Sequence, residues 1–354
     1  MTTIVSSIVI CLAAFVSLLL ILRRNRQSLG LPIAYLFLLL LNHIPGAIAH
    51  ATSSNFFDST ATEIGVWLTA IGAVFFIIGV GLLHLLHPKE DHTHTPAVRR
   101  KYWFFCLVLG WVATYMLARA ASSVGLGVVV DNAGMIWLLG IMLGLRAALS
   151  HNDLLNGAFW MTTLMVYPSS VLLFGGFLSY GSAAIIIGLS VCSVCMKSNW
   201  RVVIAISVVA FLGFNCFLSY FVNRTEIRAA VWGGATLEER LDRVSRIFTD
   251  FELFDPSNSR HLAALDARLN QNHFVGLAVL RLDQGTIDYR YGETFWHGIL
   301  QLIPRVIWPE KPSFGGSNDL VAEMTGLKLS RETSWGVGNV LEFYVNFGMT
   351  GIVL

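Results

Sequence analysis

Ile64-Gly65-Val66-Trp67-Leu68-Thr69-Ala70-Ile71-Gly72-Ala73-Val74-Phe75-Phe76-Ile77-Ile78-Gly79-Val80-Gly81-Leu82-Leu83-His84-Leu85-Leu86 contains no Asp, Glu, Lys or Arg. A bilayer crossing needs about 20 consecutive apolar residues, so this stretch reads as a transmembrane helix. Seven more stretches of this kind precede residue 222, at 3–22, 30–50, 102–120, 128–148, 157–175, 177–196 and 202–222. The composition agrees: 55% of the 354 residues are hydrophobic and 13% charged, with mean hydropathy +0.64. A water-soluble domain averages about 25% charged residues, so an ordinary cytosolic enzyme and a disordered chain are both excluded. The net charge of +2 offers no basic surface for a nucleic acid. The five cysteines lie in apolar runs and read as small hydrophobes rather than a disulfide framework.

Basic residues orient the spans. Arg23, Arg24, Arg26, Lys89, Arg99, Arg100, Lys101, Arg146, Lys197 and Arg201 fall on every second connection, ten in all, against Arg119 alone on the alternate short ones. That asymmetry places the ten inside and the N-terminus outside. The first stretch has its arginines after the apolar run, the reverse of a cleaved signal peptide, and so reads as a retained anchor.

After residue 222 the composition changes. Residues 1–222 hold 6 acidic and 11 basic residues, whereas residues 223–354 hold 16 and 13. Residues 223–337 therefore read as one large outer loop. Helical spacing is expected over Ala235–Phe254, with Leu241, Val244, Phe248 and Phe251 on one face, over Ser257–Leu280, and over Gly292–Ile303 ahead of Pro304. A ninth span is expected to begin at 338, and its lack of a basic flank predicts a chain that continues past residue 354. The expected fold is an all-α polytopic membrane protein with about nine transmembrane helices, 1–222 forming eight of them, and a large helical loop.

His84, His87, His92 and His94 lack the spacing of a metal site and read as a solvated loop; no metal is expected. Asp131 and Asn132 read as a helix cap. Arg281, Arg290 and Arg305 alternate with Asp283, Asp288, Glu293 and Glu310 among Tyr289, Tyr291, Phe295, Trp296 and Trp308. Such arginines commonly snorkel to headgroups or pair with neighbouring acids. Their planar forks also match the oxygens of a pyrophosphate, and the aromatics suit either a membrane interface or stacking on sugar rings. Residue chemistry alone leaves both readings open.

The run Ile303-Pro304-Arg305-Val306-Ile307-Trp308-Pro309-Glu310-Lys311-Pro312, followed by Glu342-Phe343-Tyr344-Val345-Asn346-Phe347-Gly348, resembles the bacterial O-antigen and oligosaccharide repeat-unit polymerases of the Wzy type. Tyr289, Gly292 and Glu293 are similar to that family's approach to the run. The resemblance is specific over residues 260–354 and architectural elsewhere.

It implies a metal-independent membrane glycosyltransferase without cofactor, in the bacterial inner membrane with its loop facing the periplasm. Donor and acceptor would be oligosaccharide repeat units on undecaprenyl pyrophosphate, built into O-antigen, capsule or exopolysaccharide, with a chain-length regulator as a further partner. Arg281, Arg290, Arg305 and Lys311 would hold the pyrophosphate, and Tyr289, Trp308 and Glu342 would contribute to the pyrophosphate and glycan site. Glu293 would be the base for the acceptor hydroxyl, with Asp288 next, then His273 or His297. An O-antigen ligase, which moves the glycan to lipid A-core, is the nearest alternative. A lipid-linked sugar transporter is the more distant one.

Overall fold

A bilayer leaves no partner for a bare backbone N–H or C=O, so apolar runs of this length satisfy themselves as helices. The computed structural model describes residues 2–24, 30–52, 59–86, 100–113, 135–151, 153–176, 178–195, 200–249, 252–303, 305, 307–312, 314–329 and 335–354, and among these all regular structure is helical. Arg26, Lys89, Arg99, Arg119, Lys197, His87, His92, His94, Asp131, Asn132, Phe251 and Pro304 lie outside the described residues.

Among the described residues the first eight helices are α1 (Thr2–Arg24), α2 (Leu31–Thr52), α3 (Ser59–Leu86), α4 (Arg100–Val112), α5 (Met135–Ser150), α6 (Leu154–Gly175), α7 (Ser179–Cys195) and α8 (Trp200–Trp232). Each expected apolar stretch overlaps one of them. Four are long and apolar enough to cross a membrane: Thr2–Leu22, Leu31–Ala51, Thr60–Leu86 and Leu155–Phe174. Tyr102–Val112, Met135–Ser150, Gly181–Cys195 and Ser207–Phe221 are shorter apolar helices.

Two cores result. α1, α2 and α3 pack around Leu18, Leu36, Leu40, Leu68 and Ala73. The other core joins α5, α6 and α7 through Trp137, Ile141, Leu145, Trp160, Leu164 and Val191, with α4 against α5. α8 runs past its apolar stretch to Trp232, because Ile227 and Val231 continue a buried stripe onto Leu172 and Tyr220.

The remaining helices are α9 (Leu237–Thr249), α10 (Ser259–Leu269), α11 (Gln271–Asp283), α12 (Glu293–Gln301), α13 (Ser317–Thr325), α14 (Asn339–Phe347) and α15 (Met349–Val353). α9 starts with a capping box: Thr236 N–H donates to Glu239 Oε2 (2.9 Å) and Glu239 N–H to Thr236 Oγ1 (3.3 Å). Val244 packs inward against the α6–α8 cluster, whereas Leu241 is exposed.

The single helix expected over 257–280 is two, broken at Asn270 (φ −121°, ψ 66°). The break turns polar side chains toward one another. Asn270 Nδ2 donates to Asp266 Oδ1 (2.6 Å), and Asn272 Nδ2 donates to Asn270 Oδ1 (3.1 Å) and to the His43 carbonyl (2.7 Å). Asn272 Oδ1 lies 2.7 Å from His43 Nδ1, and Thr69 Oγ1 lies 3.0 Å from the same nitrogen. Asn272, His43 and Thr69 are fully or almost fully buried. Buried polar groups of this kind are tolerated only when paired.

α11 lies directly against α3, and glycines make room for it. A Cβ at Gly276 would overlap the Ala61 backbone, one at Gly65 the Asn272 backbone, and one at Gly46 the Cα and side chain of Asn270. Backbones approach this closely where small residues line the contact, as in membrane helix pairs. Phe274, Val275, Ala278 and Val279 thus belong to the α1–α3 core rather than to a detached loop. The expected ninth stretch is also broken. α14 and α15 meet at Gly348 (φ 60°, ψ −145°), and the chain folds back so that Gly351 abuts the Phe343 carbonyl.

Candidate functional site

Arg290-Tyr291-Gly292-Glu293 forms a tight turn closed by Glu293 N–H donating to the Arg290 carbonyl (2.9 Å). Tyr291 (φ 47°) and Gly292 (φ 91°) are both left-handed, as a type I′ turn demands. Glycine adopts this at no cost, but a tyrosine there costs roughly 1–2 kcal/mol. Tyr291→Asn, which tolerates the conformation, should therefore stabilise the protein by about 1 kcal/mol. A thermal unfolding series in detergent checks this, and a lowered midpoint would contradict it.

The turn is held in place by α14. Arg290 N–H donates to the Val345 carbonyl (3.0 Å), Tyr291 N–H to the Asn346 carbonyl (3.1 Å) and Gly292 N–H to Asn346 Oδ1 (2.8 Å). Asn346, fully buried, also donates through Nδ2 to Thr294 Oγ1 (2.7 Å), and Thr294 Oγ1 donates to Glu342 Oε1 (2.8 Å). Phe295 then packs on Phe343 and Phe347 (centroids 5.3 and 6.0 Å). The Tyr-x-x-Gly-Glu and Glu-Phe-Tyr-Val-Asn-Phe-Gly segments, about fifty residues apart in sequence, are therefore one hydrogen-bonded unit.

The turn brings the Arg290 and Glu293 side chains together. Arg290 Nη1 donates to Glu293 Oε2 (3.0 Å), and Nη2 donates to Glu323 Oε1 on α13. Partial burial disfavours the guanidinium charge, but its bonds to Glu293 and Glu323 outweigh that and hold its pKa above the ordinary value. Glu293 Oε1 also faces His297 Nε2 at 3.8 Å, and that imidazole stacks on Phe314 (4.3 Å). Glu323 escaped the sequence reading because its partners are distant in the chain.

The other three cations bond mainly to backbone. Arg281 Nη1 donates to the Glu323 carbonyl (2.6 Å) in the last turn of α13, where a cation complements the helix dipole. Lys311 Nζ donates to the Ile303 (2.8 Å) and Gln301 (3.1 Å) carbonyls at the end of α12. Arg305 Nη1 donates to the Lys311 carbonyl (3.0 Å) and, more weakly, to that of Pro309 (3.5 Å). The proline-rich segment is thus cross-linked to itself by Arg305 and Lys311. Trp308 is half-buried there, and its carbonyl accepts from Lys311 N–H (3.1 Å).

Arg281, Arg290, Glu293 and His297 are gathered around Glu323 and the turn, with Glu342 bound beneath through Thr294. Tyr289 packs against Gly348 at the α14–α15 break. Asp288 is exposed, with no hydrogen bond or ion pair among the described residues. His273 is buried in α11 among core residues. Among the described residues no group of three or more His, Cys, Asp and Glu is arranged to hold a metal ion. The arrangement is a guanidinium bracketed by two carboxylates, those of Glu293 and Glu323. No family model, no curated protein and no solved structure matches this chain.

Proposed function

We propose that the protein is a metal-independent polymerase of undecaprenyl-pyrophosphate-linked oligosaccharide repeat units, acting at the periplasmic face of the bacterial inner membrane. In this reading the eight apolar stretches of residues 1–222 cross the membrane, the N-terminus is outside and residues 223–337 face the periplasm. The carrying observation is the bonding of the Tyr289–Thr294 turn to Glu342 and Asn346. It joins two of the three segments that carry the resemblance, Tyr289–Glu293 and Glu342–Gly348, around the turn that sets Arg290 beside Glu293.

The chemistry follows from that pairing. The acceptor sugar hydroxyl loses its proton to Glu293 as its oxygen forms a bond to the anomeric carbon of the donor glycan. The bond from that carbon to the pyrophosphate oxygen breaks, and the leaving undecaprenyl pyrophosphate takes the electron pair. Arg290 stabilises the negative charge gathering on the pyrophosphate, the usual route by which preorganised donors lower such barriers. Arg281, anchored by the Glu323 carbonyl, adds a second guanidinium to the site. As the phosphate draws Arg290 toward itself, the carboxylate of Glu293 is released to act as base. Arg305 and Lys311 shape the loop and add positive charge to it.

Glu293→Gln tests the assignment. The amide keeps a hydrogen bond to Arg290 but cannot take a proton, so long-chain polymer should disappear while lipid A-core capped with one repeat and protein abundance stay unchanged. Normal polymer in this variant removes Glu293 as the base. In a strain lacking the gene, one repeat should remain on the core; a core with none would favour the ligase reading instead.

A further inference from the structure

α12 is only partly covered. Phe295 faces α14, while Thr294 and His297 face the turn and the Phe314 loop. Around Phe295 on the helix surface, Trp296, Ile299 and Leu302 are 57%, 55% and 57% exposed. These positions recur at helical spacing and form one apolar stripe. The stripe does not stop at the helix. Ile307 is 75% exposed in the following loop, and Phe343, Phe347 and Met349 are exposed on α14 and α15. Phe295, stacked on Phe343 and Phe347, links the α12 residues to those of α14, and exposed apolar side chains grouped in this way mark a surface that is covered in its working environment.

The occupant follows from what borders it. α14 and α15 pack on α3, one of the four helices long enough to cross a membrane, so the stripe continues the lipid-facing surface of the bundle. At its far end sit two cations, exposed Arg305 and half-buried Lys311. An apolar stripe bearing a tryptophan and ending in basic residues suits the boundary between acyl chains and anionic headgroups.

We propose that α12 is an interfacial helix, lying in the headgroup layer with Trp296, Ile299 and Leu302 turned into the acyl boundary. This placement stands independently of the reaction proposed above. It puts Glu293, the first residue of α12, and Arg290, just before it, at headgroup height. There they meet phosphates carried on lipids rather than free in solution.

Nitroxide scanning of the full chain tests this. In a background with Cys11, Cys106, Cys192, Cys195 and Cys216 replaced, single cysteines are introduced as Trp296→Cys, Ile299→Cys, Leu302→Cys and Gln301→Cys. Each is labelled and reconstituted in phosphatidylethanolamine–phosphatidylglycerol vesicles. The ratio of collision with oxygen to collision with a water-soluble nickel chelate should be several-fold higher at Trp296, Ile299 and Leu302 than at Gln301, on the opposite side. Equal nickel access at Ile299 and Gln301 would overturn the placement, and so would spin–spin broadening at Ile299 that reports a second copy on this face. All four sites are exposed, so the substitutions leave the packed interior untouched.

Discussion

Arg290→Ala should abolish long-chain polymer, with transfer falling about 10²–10³-fold, the scale on which removing one transition-state charge donor acts. The protein itself should persist at its normal abundance. The Arg290, Glu293 and Glu323 side chains are 30%, 45% and 53% exposed. Ion pairs this open contribute at most about 1 kcal/mol. Arg290→Lys should also fail, because a single ammonium cannot reproduce the planar fork that spans Glu293, Glu323 and a phosphate. Chain-length profiles on gels, read beside immunoblots of the membrane fraction, decide the matter. Full-length polymer in Arg290→Ala would reduce this arginine to a surface pairing residue. By contrast, Lys311→Ala should act through the loop: it frees two carbonyls at the end of α12 and loosens the segment, and Lys311→Arg should restore most activity.

Gly276→Val should remove the folded protein altogether. A Cβ there overlaps the Ala61 backbone, which belongs to the long helix α3 and cannot step aside. Overpacking typically costs 1–3 kcal/mol when side chains can shift, so a clash with backbone is expected at about 3 kcal/mol or more. Against a total stability of roughly 5–15 kcal/mol, and with two added methyls to place, that loss is enough to send the chain to degradation. Gly79→Val is the matched control. It lies on α3 itself, where a Cβ meets open space, and should accumulate normally. Equal membrane abundance of the two variants would show that α11 is not packed tightly on α3.

The apolar helices were legible because each rests on a local pattern that survives any tertiary arrangement. What the pattern could not convey was the fold-back at Gly348, which rests on contacts such as Gly351 against the Phe343 carbonyl; four helices are of crossing length among the described residues. The break at Asn270 was hidden for a different reason. Helical spacing runs on both sides of it, and only the partners across the bundle, His43 above all, give Asn272 a reason to turn inward. The four cations looked equivalent in sequence since a backbone carbonyl leaves no compositional trace. Arg281, Arg305 and Lys311 each take such a carbonyl, and among the described residues Arg290 is the one of the four engaged by carboxylates. Glu323 lies 33 residues from Arg290, beyond the reach of any local motif.

The bond between His43 and Asn272 joins residues 229 apart in the chain. Synthesis proceeds at about 5–20 residues per second, so α2 and α3 wait roughly ten to fifty seconds in the membrane before α11 emerges to meet them. During that interval His43, Thr69 and the glycine-lined faces of α2 and α3 stand without their final neighbour. Maturation of this protein is therefore governed by a late insertion. Anything that slows the ribosome before residue 270 lengthens the life of an unfinished bundle with a polar wound in its side, the form most open to quality-control proteases.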